Sequence, residues 1–311
     1  MQPFDPRRRI IVMLHGLASS PKAWVNVANE LLADEELRCE FQVWQVYYPT
    51  NLPVPASHAA IRQVLAAALH HFDPDEETLA SDGLVLIGHS MGGMLARLMV
   101  STADQQLWKW AVSDPRIDLD HLGSTRSQLD PLLHFQPFPG AERVIFIATP
   151  HRGTVVAGQG LGRWVAGLIR LPLTLLTTLG DAFPARADTT AMAQATILEN
   201  IPNSIDQLDE NDPFVKATSE LPISGQVSYH SIIATQHASG PLADSDDGLV
   251  PYRSAHLDGA MSEKIIVSGH SAQEAAASIV EIRRILRQDI SKHRLTTAGS
   301  SPAGRGNCPA D

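Results

Sequence analysis

The chain has 311 residues, of which 44% are hydrophobic and 19% are charged, and its formal net charge is −10. This composition predicts one large globular domain or two small ones, and it excludes a disordered protein. The acidic balance argues against a nucleic-acid partner, because phosphate binding needs a basic face.

We expect neither a signal peptide nor a membrane-spanning helix. The first apolar run, Ile10–Leu14, is shorter than the roughly 7–15 residues of a secretory apolar segment. The longest apolar stretch, Trp164–Leu179, is interrupted by Arg170 and Pro172, and a membrane span needs about 18 uninterrupted apolar residues. These patterns predict a cytoplasmic protein.

Short apolar runs alternate along the chain with segments of helical periodicity. Strands are predicted at Ile10–Leu14, Phe41–Tyr47, Leu84–Ile87, Val144–Ala148, Tyr229–Ala234 and Lys264–Val267. Helices are predicted at Pro21–Leu32, at Ser57–His70 with Ser57 as the N-cap, at Met91–Leu107 and at Gln273–Ile290. Strands that are apolar throughout and alternate with helices indicate an α/β fold, with a mostly parallel central sheet covered by helices on both faces.

One segment is too long to be a simple crossover between two strands. Thr149–Leu221 carries the amphipathic stretch Leu161–Leu179, and insertions of this size on an α/β scaffold are often lids. We therefore predict a single domain over residues 1–295, with a cap or lid insertion at about 150–221. Residues 296–311 are predicted to be a disordered tail. Because Cys308 falls in that tail, no structural disulfide is expected.

The pentapeptide Gly88-His89-Ser90-Met91-Gly92 follows the apolar run of the third predicted strand. A G-x-S-x-G segment between a buried strand and a helix forms a nucleophile elbow, in which small residues allow a turn tight enough to expose the serine hydroxyl. Ser90 is therefore the candidate nucleophile. His89, inside the elbow, is expected to be a packing and hydrogen-bonding neighbour rather than a second base.

A serine nucleophile needs a base, and the base needs an acid to orient it. In elbow-containing folds the acid and then the histidine follow the serine along the chain. Asp247, before Gly248 in a turn after the fifth strand, is the favoured acid, and its neighbour Asp246 is the competitor. His270, directly after the last strand, is the favoured base. The alternative base, His256, precedes that strand.

Two backbone N–H groups would complete the site as an oxyanion hole. One belongs to Met91, the residue after the nucleophile, and the other to Leu17, in the loop after the first strand. The sequence contains no nucleotide-binding glycine pattern and no paired cysteine motif, so we expect no cofactor and no metal.

Taken together, these motifs resemble the α/β-hydrolase superfamily, and within it the bacterial lipase and esterase branch. The resemblance covers roughly residues 10–290 in order. It rests on Leu14-His15-Gly16-Leu17, the elbow with Gly93, Ala148-Thr149-Pro150-His151-Arg152-Gly153, Asp247-Gly248-Leu249-Val250-Pro251 and Gly269-His270-Ser271. It implies a Ser90-Asp247-His270 triad, an oxyanion hole at Leu17 and Met91, and ester substrates. The carboxylates of the lipase-type calcium site have no match in this sequence.

The resulting functional prediction is a serine hydrolase that cleaves hydrophobic, acyl-lipid-like carboxylic esters. Its partner would be a small hydrophobic ester, with transient contact to a lipid surface through the cap. An acyltransferase with the same residues and a non-catalytic binding protein on a hydrolase fold are the alternatives.

Overall fold

The computed structural model describes residues 3–75, 78–114, 130, 132–155 and 206–297. A single parallel sheet forms its centre, in the strand order β2-β1-β3-β4-β5-β6. The strands are β1 (Arg9–Leu14), β2 (Phe41–Val46), β3 (Leu84–His89), β4 (Ala141–Ile147), β5 (Ser228–Thr235) and β6 (Ser262–Val267). Each predicted strand is therefore present, and the predicted parallel α/β architecture is confirmed.

Helices cover both faces of this sheet. They are α1 (Val25–Ala33), α2 (Glu35–Glu40), α3 (Val54–Phe72), α4 (Met91–Met99), α5 (Gln106–Ser113), α6 (Pro213–Ser219), α7 (Tyr252–Ala255) and α8 (Ala276–Thr297). Short 3₁₀ turns at Pro21–Trp24 and Ala272–Glu274 lead into α1 and α8. Within the described ranges, no helix is both long enough and apolar enough to cross a lipid bilayer.

Strand β1 shows how the sequence divides the core into two layers. Successive side chains of a strand point to opposite faces. Val12 and Leu14 pack into the layer formed with α3, α4 and α5. Ile11 and Met13 pack into the layer formed with α1, α2 and α8. A strand that is buried on both faces must be apolar at every position, which explains the uninterrupted run of apolar residues.

All four predicted helices have different limits in the structure, and two of these differences have a clear physical reason. The helix predicted from Ser57 begins at Val54, where Pro55 lies in the first turn and the Val54 N–H donates to Gln207 Oε1 at 2.6 Å. The prediction of Ser57 as the N-cap is therefore wrong, and its side chain is buried inside the helix.

The helix predicted over Met91–Leu107 ends at Met99, and α5 begins separately at Gln106. Between them, the backbone forms bridges from Ser101 to Ile223 and from Ala103 to Phe135. These tertiary hydrogen bonds replace the helical ones, and the sequence periodicity does not reveal them.

Helix α8 also ends later than predicted, beyond Ile290. Helix α8 extends to Thr297, and its Arg294 guanidinium lies 2.8 Å from the Glu40 carboxylate of α2. Cys39 of α2 is disulfide-bonded, so the prediction that the chain has no structural disulfide is wrong. Cys308 and the remainder of the predicted tail lie outside the described residues, as does Leu161–Leu179 of the predicted cap.

Candidate active site

Ser90 lies at the turn between β3 and α4, near the centre of the sheet. Its backbone has φ 54° and ψ −125°, a left-handed conformation that is costly for a residue with a side chain. Its N–H donates to the Ile147 carbonyl of the neighbouring strand β4 at 2.9 Å, which helps to hold the turn. The strand order reverses between β1 and β3, and the carboxyl ends of strands at such a point commonly form a binding crevice.

Glycine is required on both sides of Ser90 because three backbone segments meet there. A Cβ atom at Gly88 would overlap the backbone of Gly92, and one at Gly92 would overlap the Leu14 carbonyl of β1. The elbow therefore places α4 directly against the ends of β1 and β3. This contact explains the G-x-S-x-G spacing in this chain.

The loop after β6 brings His270 to Ser90. The His270 Nε2 atom lies 2.8 Å from Ser90 Oγ, although the two residues are 180 positions apart in the chain. The His270 side chain retains 24% exposure, so it borders the open side of the site. The imidazole is therefore within proton-transfer distance of the serine hydroxyl.

Asp247 lies behind His270 and is almost completely buried. Its Oδ2 atom is 2.8 Å from His270 Nδ1. Its Oδ1 atom accepts the N–H groups of Leu249 at 2.9 Å and Val250 at 2.7 Å. An acceptor at Nδ1 favours the tautomer with the proton on that nitrogen, which leaves the Nε2 lone pair facing Ser90.

The two competing candidates lie elsewhere. Asp246 is exposed, and its carboxylate accepts the Gly248 N–H at 2.7 Å. His256 pairs with Glu263 at 2.5 Å and with Asp258 at 3.2 Å. The hydrogen bond to Glu263 is the main cause that raises the pKa of His256, with burial opposing it. The structure thus places Asp247 and His270, and not these alternatives, in line with Ser90.

Leu17 and Met91 are the residues predicted to donate their N–H groups to an oxyanion. Met91 is the first residue of α4, and Leu17 follows β1 closely. A Cβ atom added at Gly16 would lie 3.1 Å from Ser90 Cβ, so the β1 loop is in close contact with the serine. Both side chains are largely buried.

The β1 loop is fixed by an aromatic contact that sequence analysis did not identify. The His15 ring stacks on Tyr48, with ring centroids 4.3 Å apart, and the Tyr48 hydroxyl donates to the His15 carbonyl. Burial lowers the pKa of His15, with a smaller opposing effect from its hydrogen bond to Gly16. Ala18, which has φ 51°, donates its N–H to Thr50 Oγ1 at 3.1 Å.

The turn after β4, Thr149–Gly153, also supports the loop that carries Asp247. The His151 N–H donates to the Ser254 carbonyl at 3.0 Å, and Ser254 Oγ donates to the Gly153 carbonyl at 2.6 Å. The Thr154 hydroxyl donates to the Leu249 carbonyl, two residues after Asp247. The turn after β4 thereby holds the segment that positions Asp247. The sequence analysis identified this motif but did not predict that it holds the segment around Asp247.

The described residues contain no group of three or more His, Cys, Asp or Glu side chains that could hold a metal ion. The geometry of the site consists of a hydroxyl, an imidazole and a carboxylate connected in series. Such an arrangement can activate the hydroxyl as a nucleophile.

Comparison with known proteins gives the same fold. A family model described as "alpha/beta hydrolase fold" matches residues 9–128, a range that includes the elbow but neither Asp247 nor His270. No curated protein matches the sequence.

Solved structures match nearly the entire chain at low identity. A Staphylococcus hyicus lipase is 13% identical, with a TM-score of 0.56, over 97% of this chain and 100% of that one. The mature Bacillus licheniformis lipase BlEst2 is 16% identical, with a TM-score of 0.48, over 91% of this chain and 93% of that one. The family model and the S. hyicus structure support the fold described above, and this chain has an α/β-hydrolase fold.

Proposed function

We propose that the protein is a serine hydrolase that cleaves carboxylic esters through an acyl-enzyme intermediate. The observation that carries this proposal is the continuous series from Ser90 Oγ through His270 to Asp247, with both hydrogen-bond distances at 2.8 Å. The reaction consists of proton transfers and acyl transfers only, so the proposed chemistry requires no cofactor.

In the proposed first step, Ser90 Oγ attacks the ester carbonyl carbon while His270 Nε2 accepts the hydroxyl proton. Asp247 stabilises the resulting imidazolium and holds its orientation. The N–H groups of Leu17 and Met91 bind the oxyanion, and each such donor contributes about 3 kcal/mol to the transition state. His270 then donates its proton to the departing alcohol, and Ser90 is left as an acyl ester.

In the second step, water attacks the acyl-enzyme. His270 accepts a proton from the water as it adds to the carbonyl, and the second oxyanion forms at the same N–H groups. Collapse of this intermediate releases the carboxylic acid, and the proton on His270 returns to Ser90 Oγ. The enzyme regains its starting protonation state, so the cycle balances.

A hydrophobic acyl group is the substrate that the chain favours. The predicted cap, which follows the turn after β4, carries the apolar stretch Leu161–Leu179. An apolar lining suits an acyl chain better than a charged ligand. We propose an esterase or lipase-like activity on such esters.

A fluorophosphonate probe followed by mass spectrometry of the intact protein tests the proposal. The wild type should gain one adduct, located on Ser90, and Ser90→Ala should gain none. Ser291→Ala, which removes an exposed hydroxyl on α8, is the matched control and should label as the wild type does. Labelling of Ser90→Ala at the wild-type rate would overturn the assignment.

A series of p-nitrophenyl esters with graded acyl chains tests the substrate class. We expect kcat/KM to rise with chain length from acetate, because each buried methylene adds about 0.8 kcal/mol of binding. In Ser90→Ala, kcat should fall by more than about 10⁴-fold. Adding a competing alcohol and measuring the ester product distinguishes hydrolysis from acyl transfer.

A further inference from the structure

His89, the residue directly before Ser90, makes a contact that the proposed mechanism does not use. Its Nε2 atom lies 2.7 Å from the main-chain carbonyl oxygen of His270, and the two rings have centroids 5.1 Å apart. The residue is 7% exposed. The elbow therefore contacts the loop after β6, which carries His270, at two points. One is the Ser90 hydroxyl and the other is the His89 side chain.

The other side of the His89 ring faces the loop after β1. A Cβ atom built at Gly16 would lie 3.1 Å from His89 Nδ1. The imidazole thus lies between the loop that carries Leu17 and the loop that carries His270. The His89 side chain therefore contacts both loops and limits how closely each can approach Ser90.

The protonation state of His89 suits this role. Its pKa is lowered to about 3, mainly by burial and to a smaller extent by the proximity of His270. The His89 ring is therefore neutral at neutral pH. A carbonyl oxygen only accepts hydrogen bonds, so the single ring proton must be on Nε2. A neutral ring also adds no positive charge beside the imidazolium that forms on His270.

The base loop needs such a connection because of its place in the fold. His270 follows β6, the edge strand of the sheet, and most positions of that strand are at least partly exposed. The loop after β6 must cross the ends of β5 and β4 to bring the imidazole to the end of β3. A misplacement of about 1 Å can cost 10²-fold in rate.

We propose that His89 is a positioning residue, which donates its Nε2–H to the His270 carbonyl and thereby sets the distance between the base and Ser90. The inference rests on the proposed hydrolase function. It assigns to the second residue of the elbow a role in the reaction geometry rather than in proton transfer.

The test compares three variants with the wild type on one p-nitrophenyl ester. His89→Leu removes the donor, and His89→Gln retains an N–H that can reach the same carbonyl. His58→Leu is the matched control, because His58 is also buried and its pKa is also lowered to about 3, mainly by burial. The melting temperature of each variant is measured alongside its kinetics.

In His89→Leu we expect kcat and the rate of fluorophosphonate labelling to fall by about 10- to 100-fold, with KM within about twofold of the wild type. His89→Gln should recover most of the loss, and His58→Leu should retain the wild-type kcat even where it lowers the melting temperature. Equal kcat values in His89→Leu and His58→Leu would overturn the positioning role. A wild type that neither labels nor turns over would instead overturn the proposed function, so the two failures are distinguishable.

Discussion

The adjacent carboxylates Asp246 and Asp247 have different environments because the backbone turns sharply directly after them, at Gly248. Gly248 has φ 93°, which a residue with a side chain rarely adopts. The turn directs Asp247 inward to the N–H groups of Leu249 and Val250 and to His270, and it leaves Asp246 exposed. The sequence favoured Asp247 because it directly precedes Gly248, but it did not exclude Asp246, since both carboxylates lie in the same turn.

This difference leads to a prediction about charge-neutral substitutions at the two positions. Asp247→Asn keeps the side-chain size but can present an N–H to His270, which favours the wrong imidazole tautomer. We expect kcat to fall by about 10⁴-fold with KM little changed. Asp246→Asn should alter kcat by less than about threefold. Steady-state kinetics on one p-nitrophenyl ester measures both, and the reverse order of effects would assign the acid to Asp246.

At the scale of elements, the contact between α4 and the end of β1 determines where Ser90 stands. All nine residues of α4 are buried, and the helix has no room to move away from the sheet. Gly92 is the closest point of approach, because a Cβ atom there would overlap the Leu14 carbonyl. The overlapping atoms belong to the backbone of β1, so they cannot move aside without distorting the strand.

Gly92→Ala should therefore destabilise the protein and displace the nucleophile. Overpacking of this kind typically costs about 1–3 kcal/mol, and we expect a loss of that size in urea unfolding together with at least a tenfold loss of kcat. Gly225→Ala is the control, because a Cβ atom at that exposed glycine meets nothing within 4 Å. A Gly92→Ala variant with the stability and activity of Gly225→Ala would show that the elbow is not tightly packed.

The sequence predicted the strands better than the helices, for a physical reason. Strands buried on both faces are continuous apolar runs, so their positions can be read directly. The limits of α3 and α4 depend instead on distant partners: Gln207 for Val54, and Ile223 and Phe135 for the segment after Met99. Local patterns contain no information about such partners.

In the candidate site, too, features with a local sequence pattern could be predicted, and features that depend on distant partners could not. Ser90, Asp247 and His270 could be predicted because each follows the end of a strand, and parallel strands bring those ends to one edge. The hydrogen bond from His89 to the His270 carbonyl joins residues 181 positions apart and has no sequence signature. The support of the acid loop by the turn after β4 escaped prediction for the same reason.

At the scale of the whole molecule, the fold buries several histidines as neutral rings. Burial is the largest cause that lowers the pKa of each of them. They are His15, His58, His89, His151 and His230. Arg143, next to His230 at 2.5 Å, lowers the pKa of that ring further, to about 4. Each ring is exposed to water and free to bind a proton once the chain unfolds.

This burial makes the stability of the protein depend on pH in a defined direction. The folded-state pKa of His58 is about 3, below the unfolded value of 6.5, so only the unfolded state binds a proton between those values. The free energy of unfolding is therefore fully retained above about pH 6.5 and falls as the pH decreases below it. One such histidine contributes a slope of up to about 1.4 kcal/mol per pH unit.

His58→Leu should flatten the curve of unfolding free energy against pH by up to that amount between about pH 6.5 and pH 4. Urea unfolding at a series of pH values measures the slope. Leu65→Ala, on the same helix, removes a buried side chain that does not titrate, so it should lower the curve at every pH without changing its slope. If His58→Leu shifts the curve in parallel, as Leu65→Ala does, then His58 is not kept neutral by the fold.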